Sequence, residues 1–200
     1  MAAPGAPVSL ETSPVARDHL PDGVLVRGAK LERALTFHDK AGTHYLVMSS
    51  SGAAGTGRGA WLFVDDWVID ATGKPRSRLP VRDLVDDCEM GGVTARFHDN
   101  ATMVTDLDHD GLAEVTFAYE VACRSDVSPA TYKLLMLENG DKYILRGTTR
   151  IDPSNDGSVM GGSFTPDPAP ARWPPSFLAH AKQRWSETAD DLENPPRPRR

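Results

Sequence analysis

The sequence predicts a mainly β fold, an antiparallel meander or sandwich with β-hairpins and one C-terminal α-helix. Short runs of β-branched, aromatic and aliphatic residues recur between turn residues, among them "THYLVMS", "AWLFVDDWVID" and "AEVTFAYEV". An Asn139-Gly140 pair joins two such runs, and one stretch near the C-terminus has helical spacing. One helix after many strands is typical of a β domain that the helix caps.

The hairpins are marked by their turn residues. In "LLMLENGDKYIL", Asn139 and Gly140 supply the positive φ angles that a tight type I′ turn requires. A second hairpin is expected in "FHDKAGTHYL", with its turn near Gly42. Further strand signals are "GVTARF", "YKLLML" and "KYILRGT".

The helix is expected in "PPSFLAHAKQRWSETADD". Leu178, Ala181 and Trp185 lie at positions i, i+3 and i+7, and prolines come just before the start. These three side chains are therefore expected to share one face of the helix.

Composition indicates one domain with a tail at each end. The 200 residues are enough for a sizeable core, and 40% hydrophobic residues with 25% charged residues are ordinary for a globular chain. Residues 1–18 are rich in Ala, Pro and Ser without periodicity, which predicts a disordered or extended tail. Residues 19–190 are expected to form a single β-rich domain, and 191–200 a basic, proline-rich tail.

Several classes of protein are disfavoured by the sequence. The net charge of −6, with no basic stripe, argues against nucleic-acid and anionic-membrane partners. No apolar run approaches the roughly 18 residues that span a bilayer. The N-terminus has neither a basic n-region nor an apolar h-region, so no signal peptide is expected in this chain. The six histidines are scattered, and no serine lies in a G-x-S-x-G elbow, so no catalytic constellation is predicted.

Residues 106–114, "DLDHDGLAE", predict a calcium site. Calcium takes six to eight oxygen ligands, and acidic residues at alternate positions can turn toward one centre, with a glycine allowing the sharp turn. The predicted ligands are the side chains of Asp106, Asp108, Asp110 and Glu114 and the backbone carbonyl of Leu112. The alternative is a hydrated acidic turn, but four carboxylates this close would repel one another without a cation.

The loop differs from an EF-hand. Position 12 of an EF-hand loop is a bidentate glutamate, but Phe117 stands there, and strand signals flank the loop on both sides. We therefore expect a structural clip and not a helix-opening sensor. His109 is expected to face solvent. A weaker acidic stretch at 151–159 predicts an ordinary turn.

Two stretches, "DLDHDGLAEVTFAYEVACRSDVSP" and "KLLMLENGDKYILRGTT", resemble an uncharacterised bacterial family. That family is exported or envelope-associated and is sometimes labelled a surface polysaccharide biosynthesis protein. The similar region runs from about Cys88 to Thr149. The acidic loop is also similar to the calcium loops of FG-GAP and VCBS-type β-repeats. The resemblance implies a periplasmic or extracellular protein.

The two cysteines alone leave open one disulfide or two free thiols. The export that the resemblance implies would bring Cys88 and Cys123 into an oxidising compartment, so a disulfide between them is expected. In "CRSDVSP", Asp126 and Ser128 are expected to form a turn. Arg124 is expected either to pair with a carboxylate or to face an anionic ligand, and the pairing is favoured.

The first functional hypothesis is a non-catalytic exported β domain with a structural calcium loop, which binds a glycan or a partner protein at the bacterial envelope. The alternative is a carbohydrate-active enzyme with a carboxylate pair and a supporting calcium site. Two carboxylates about 5–10 Å apart in a cleft beside exposed tryptophans would favour the enzyme. An open sheet face without a deep pocket would favour the binding domain. Residues that could supply such a cleft are Asp65-Asp66, Asp86-Asp87, Trp61 and Trp67, although surface turns and packing are the default expectation for them.

Overall fold

The computed structural model describes residues 8–52, 59–89, 91–154, 156–193 and 195–196. Residues 1–7 and 197–200, which belong to the two predicted tails, lie outside this part of the chain.

Within these ranges the chain forms fifteen strands, three short 3-10 turns and one α-helix. The strands are β1 (Val8–Ser9), β2 (Ser13–Pro14), β3 (Lys30–Asp39), β4 (Gly42–Gly52), β5 (Ala60–Ile69), β6 (Pro75–Ser77), β7 (Val81–Val85), β8 (Gly92–Phe97), β9 (Met103–Asp106), β10 (Glu114–Arg124), β11 (Thr131–Glu138), β12 (Asp141–Thr148), β13 (Arg150–Ile151), β14 (Met160–Gly161) and β15 (Phe164–Asp167). The 3-10 turns are Arg17–His19, Asp99–Ala101 and Pro170–Arg172, and the helix α1 is Pro175–Thr188. The predicted mainly β fold with one C-terminal helix is confirmed.

The strands form two main sheets with antiparallel pairing. The first sheet has the order β1-β9-β10-β11-β12-β15, and β8 also pairs with β10. The second sheet has the order β2-β3-β4-β5-β6, and β7 also pairs with β5. The long strand β10 pairs with β9 through its first residues and with β8 through its last, so it runs the length of the first sheet.

Both predicted hairpins are present. Strands β11 and β12 pair up to Glu138 and Asp141, and Asn139 and Gly140 between them have φ angles of 45° and 93°. Two consecutive positive φ angles are the mark of a type I′ turn, which matches the twist of the strands. Strands β3 and β4 pair up to Asp39 and Gly42.

The core lies between the two sheets. Phe37, Leu46 and Leu62 of the second sheet pack against Phe117 and Leu135 of the first, and all five are almost fully buried. Alternate residues of a strand point to opposite faces, so the strands of the first sheet also present apolar residues to the other side. The helix covers that side.

Helix α1 packs on the outer face of the first sheet. Phe177, Ala181 and Trp185 are buried there against residues that include Tyr132 and Leu145. The helical spacing in the sequence predicted Ala181 and Trp185 on this face, and Leu178 is partly buried beside them.

The segment before β3 pairs with strands of both sheets. Val8–Ser9 pairs with β9, Ser13–Pro14 pairs with β3, and Val15 packs against a small cluster around Trp67. Both short strands are extended and pair with a neighbouring strand. Their backbone pairing was not visible in a composition of Ala, Pro and Ser.

The residues after α1 run alongside Arg150 of β13. We call this segment, residues 189–193, the strap. The amide of Arg150 donates to the carbonyl of Ala189 at 2.7 Å, and the amide of Asp191 donates to the carbonyl of Arg150 at 3.0 Å. Asp191 is fully buried and forms an ion pair of 2.9 Å with Arg124. Packing therefore continues into the predicted C-terminal tail, and Arg124 has the carboxylate partner that the sequence favoured.

The predicted disulfide is present. Cys88 and Cys123 are bonded at 2.09 Å and lie 35 residues apart in the sequence. The bond joins the chain that follows β7 in the second sheet to the C-terminal end of β10 in the first sheet.

Removing this crosslink should destabilise the domain. Replacement of both Cys88 and Cys123 by alanine should lower the free energy of unfolding by roughly 3–4 kcal/mol, because a crosslink of this span restricts the unfolded chain. Denaturant unfolding of the two proteins measures the difference. Reductant should lower the midpoint of the wild type and leave the double variant unchanged, and an unaffected wild type would contradict the prediction.

Candidate metal centre

Three turns meet at one end of the sandwich. The acidic loop 107–113 connects β9 to β10, the tip of the β3–β4 hairpin contacts it through Lys40, and the end of β11 brings Glu138 beside it. The register of β10 and β11 explains the position of Glu138. Val115 pairs with Leu137, so the next step along both strands places Glu114 opposite Glu138.

The carboxylates converge in two overlapping groups. Asp106, Asp108 and Glu114 each offer one oxygen, and these oxygens lie within 4.8 Å of one another. Asp108, Asp110 and Glu138 form a second group with the same spacing. Such a group could hold a metal ion, and Asp108 is common to both.

The loop is curled by its own side chains. The carboxylates of Asp106, Asp108 and Asp110 accept hydrogen bonds from the amides of Gly111 (3.2 Å), Asp110 (3.2 Å) and Leu112 (2.7 Å) respectively. Gly111 has a φ of 82°, which glycine adopts without strain. His109 is exposed, as expected. These bonds explain the turn, but an acidic turn without a metal would make them as well.

Two buried oxygens distinguish this acidic cluster from an ordinary acidic turn. Oδ1 of Asp106 and Oε1 of Glu138 are buried and accept no hydrogen bond from any residue that the structure describes. Buried carboxylate oxygens are normally satisfied by donors or by a cation. Oxygen-rich, negatively charged surroundings of this kind fit a hard cation such as calcium.

Burial raises the pKa of two of these carboxyl groups. The pKa of Glu114 rises to about 7 because burial outweighs its hydrogen bonds from Thr105 and Leu107, and the charges of Glu138 and Asp108 add to the effect. The pKa of Glu138 also rises to about 7, first because of burial and then because of the surrounding aspartates. Negative charge is therefore disfavoured here unless a cation balances it.

The β3–β4 hairpin holds the loop from the other sheet. The amide of Lys40 donates to the carbonyl of Gly111 at 3.0 Å, and its ammonium donates to the carbonyl of Asp110 at 2.5 Å and lies 3.7 Å from that residue's carboxylate. The amide of Ala113 donates to the carboxylate of Asp39 at 3.0 Å. These contacts join the second sheet to the first at the acidic loop.

A buried histidine fixes Asp39. Nε2 of His44 lies 3.0 Å from Asp39 and Nδ1 lies 2.9 Å from Asp66, while the imidazole stacks on Phe37. Burial alone would lower the pKa of His44, but the two carboxylates raise it to about 9. Burial would raise the pKa of Asp39, but hydrogen bonds from His44 and Ala113 and the histidine's charge lower it to about 2. At neutral pH the imidazolium bridges two carboxylates.

Sequence reasoning missed Glu138, Lys40 and the Asp39–His44–Asp66 arrangement. Glu138 could have been found from the hairpin register, because it precedes the Asn139-Gly140 turn and the neighbouring strand begins at Glu114. No sequence motif marks the histidine, since its partners come from two other positions in the second sheet.

The expectation of a surface turn at Asp65-Asp66 is wrong. Both residues lie inside β5 and are buried, with Asp65 bound to Arg27 and Ser77 and Asp66 bound to His44. As consecutive residues of a strand they point to opposite faces, so they do not form a carboxylate pair.

The two tryptophans do not form a shared platform. Trp67 is buried under the segment before β3. Trp61 is parallel to Phe63 with ring centroids 6.3 Å apart, and the guanidinium of Arg82 lies 5.5 Å from the Trp61 ring.

The weaker acidic stretch at 151–159 forms a turn. In it the carboxylate of Asp152 accepts a hydrogen bond of 2.9 Å from the amide of Gly157. Asn155 lies outside the described residues.

Comparisons of the chain with protein-family models, curated proteins and solved structures found no match. The helix that the described residues form is too short and too polar to cross a bilayer.

The bridge at His44 predicts a pH-dependent stability. Because the folded pKa of about 9 exceeds the reference value of 6.5, the stabilisation is fully present below about pH 6.5 and is lost as the pH rises through 9. The difference in unfolding free energy between wild type and His44→Gln should therefore shrink by roughly 2–3 kcal/mol from pH 6 to pH 9. Denaturant unfolding at both pH values measures it. Equal differences at the two pH values would show that His44 carries no raised pKa.

Proposed function

We propose that this chain is a non-catalytic, exported β domain that binds a glycan or a partner protein at the bacterial envelope and is stabilised by one calcium ion in loop 106–114. Two observations carry the calcium proposal: the acidic side chains converge, and two of their oxygens, Oδ1 of Asp106 and Oε1 of Glu138, are buried and accept no hydrogen bond from the described residues.

The proposed ligands are the carboxylates of Asp106, Asp108, Asp110 and Glu114 and the carbonyl of Leu112. Glu138 adds a carboxylate from the neighbouring strand, within reach of the group that contains Asp108 and Asp110. Calcium accepts such an irregular set of oxygens, whereas magnesium requires a smaller and stricter octahedron. A bound cation would balance the negative charge that Lys40 offsets only in part.

The surroundings of the loop support a structural role for the ion. Strands β9 and β10 flank the loop, and β10 continues through the core of the first sheet. Calcium sensors respond by reorienting a pair of helices, which this loop does not connect. We therefore expect calcium to change the stability of the domain more than its shape.

Export is supported by the disulfide between Cys88 and Cys123, because such bonds persist in oxidising compartments. The family that the sequence resembles is exported as well. The disulfide fits the periplasmic or extracellular location that the resemblance implies.

A cleft of about 1170 Å³ lies at the end of the sandwich opposite the acidic loop and offers room for a ligand, whereas the sequence hypothesis of a binding domain expected an open sheet face. Four acidic side chains line it, namely Glu32, Asp99, Asp126 and Glu193, and two of these are engaged in ion pairs. Glu32 pairs with Lys30, and Glu193 pairs with Arg96 and Arg124. The general acid and base that the enzyme alternative needs would have to be free to exchange protons with a substrate. Glu32 and Glu193 do not meet this condition, and the size of the cleft supports a binding role.

Calcium should raise the thermal stability of the wild type. If the site binds at about 10 μM and calcium is present at about 1 mM, mass action gives about 2.7 kcal/mol of stabilisation. Asp108→Asn should remove most of this gain, because Asp108 belongs to both carboxylate groups. Melting curves in chelator and in millimolar calcium measure the effect.

The matched control is Asp156→Asn, which alters an exposed aspartate in the other acidic turn and should keep the full calcium gain. Identical wild-type curves with and without calcium would overturn the calcium proposal.

The contribution of Glu138 can be tested separately. Glu138→Gln should weaken calcium binding less than Asp108→Asn does, since Glu138 belongs to one carboxylate group only. In chelator the same variant should be more stable than the wild type, because a partly buried carboxylate beside several aspartates is replaced by a neutral amide. Titration calorimetry and denaturant unfolding measure the two effects. Unchanged affinity in Glu138→Gln would show that the neighbouring strand supplies no ligand.

A further inference from the structure

Strand β8 has one unpaired edge. It pairs with β10 from Gly92 to Phe97, and no other strand among the described residues pairs with it. Nearer the acidic loop, the same side of β10 carries β9 and then β1. On this side of β10 the first sheet therefore has one strand at the β8 end and two strands at the end near the acidic loop.

The unpaired edge of β8 lies in the cleft. Seven consecutive residues, 91–97, line it, which places the strand's backbone as well as alternate side chains along the wall. Residues of the second sheet, from Ser50–Gly52 and Ala60-Trp61, line it too. An unpaired strand edge that lines a cleft can take up an extended chain as an added strand.

A carboxylate already lies beside this edge. The Glu193 carboxylate, from the strap, contacts the guanidinium of Arg96 through one oxygen and lies 3.4 Å from the guanidinium of Arg124 through the other. Both arginines line the cleft, and the side chain of Glu193 is half exposed. The structure thus shows that the arginine pair accepts a carboxylate from the cleft side.

Each of the two arginines also forms an ion pair with a buried carboxylate. Arg96 pairs with the fully buried Glu120 at 3.0 Å, and Arg124 pairs with the fully buried Asp191 at 2.9 Å. Those two acids already balance both guanidinium charges. Glu193 is a third carboxylate on the pair and the most exposed of the three, so it is the one that a ligand can displace.

We propose that β8 binds an extended segment of a partner protein by strand addition, and that an acidic residue of this segment replaces Glu193 on Arg96 and Arg124. Arg96 lies in β8, so a residue directly opposite it on an added strand would be its cross-strand neighbour, about 5 Å away between Cβ atoms. The inference rests on the binding part of the proposed function and is independent of the calcium site.

The residues on either side of Arg96 indicate which residues the partner segment should carry beside its acidic residue. Ala95 and Phe97 flank Arg96 and pack at the edge of the core between the sheets. Because alternate residues of an added strand face alternate sides, apolar residues are expected on both sides of the acidic one. The matching probe is the peptide acetyl-Thr-Val-Glu-Val-Thr-amide.

The test is an NMR titration of the oxidised protein with this peptide. The amide signals of β8 and the Nε–H signal of Arg96 should shift, and the same peptide with glutamine in place of glutamate should bind more weakly. Glu193→Gln should bind the glutamate peptide roughly fivefold more tightly, since an internal competitor held by an exposed ion pair is removed. Glu187→Gln, an exposed change on α1, is the control and should bind as the wild type does.

Three results would overturn the proposal: no shift in β8, equal binding of the two peptides, or unchanged affinity in Glu193→Gln. Shifts at Arg96 and Arg124 with oligogalacturonate but not with the peptide would also overturn it, in favour of an acidic glycan. The calcium melting curves do not depend on this titration, so failure of either proposal can be recognised separately.

Discussion

Negative charge concentrated at one end of the sandwich is the constraint that shapes this molecule. The acidic loop and the end of β11 bring five carboxylates together, and the ammonium of Lys40 lies 3.7 Å from one of them, that of Asp110. The same hairpin that carries Lys40 also holds Asp39 against the amide of Ala113. Repulsion in the loop therefore acts directly on a contact between the two sheets, and whatever balances the charge also strengthens that contact.

Strand β10 links this end to the other. It begins at Glu114, passes through the core at Phe117 and ends beside Cys123 and Arg124. The disulfide and the strap stabilise the far end, where the cleft lies. The two ends thus have separate tasks in the proposed account. One is held by an ion and contributes stability, and the other is held by a covalent bond and buried ion pairs and presents a binding edge.

The parts of the structure that could be predicted from the sequence are those with local signals. Asn139-Gly140 defined a hairpin, Ala181 and Trp185 defined a helical face, and the spacing in 106–114 defined an acidic turn. The missed parts depend on distant residues meeting. Glu138 reaches the loop through strand register, and His44 acquires its partners only when neighbouring strands pair in the second sheet. No local pattern carries that information.

The central claim is that calcium in loop 106–114 strengthens the contact between the sheets, and hydrogen exchange tests it most directly. The relevant amides are those of Lys40, Leu107 and Ala113, which donate to Gly111, Glu114 and Asp39 respectively. Adding calcium to the chelated protein should slow their exchange more than that of Ala130, whose amide bonds to Thr149 away from the acidic loop. Unchanged exchange at all three loop contacts would contradict the account.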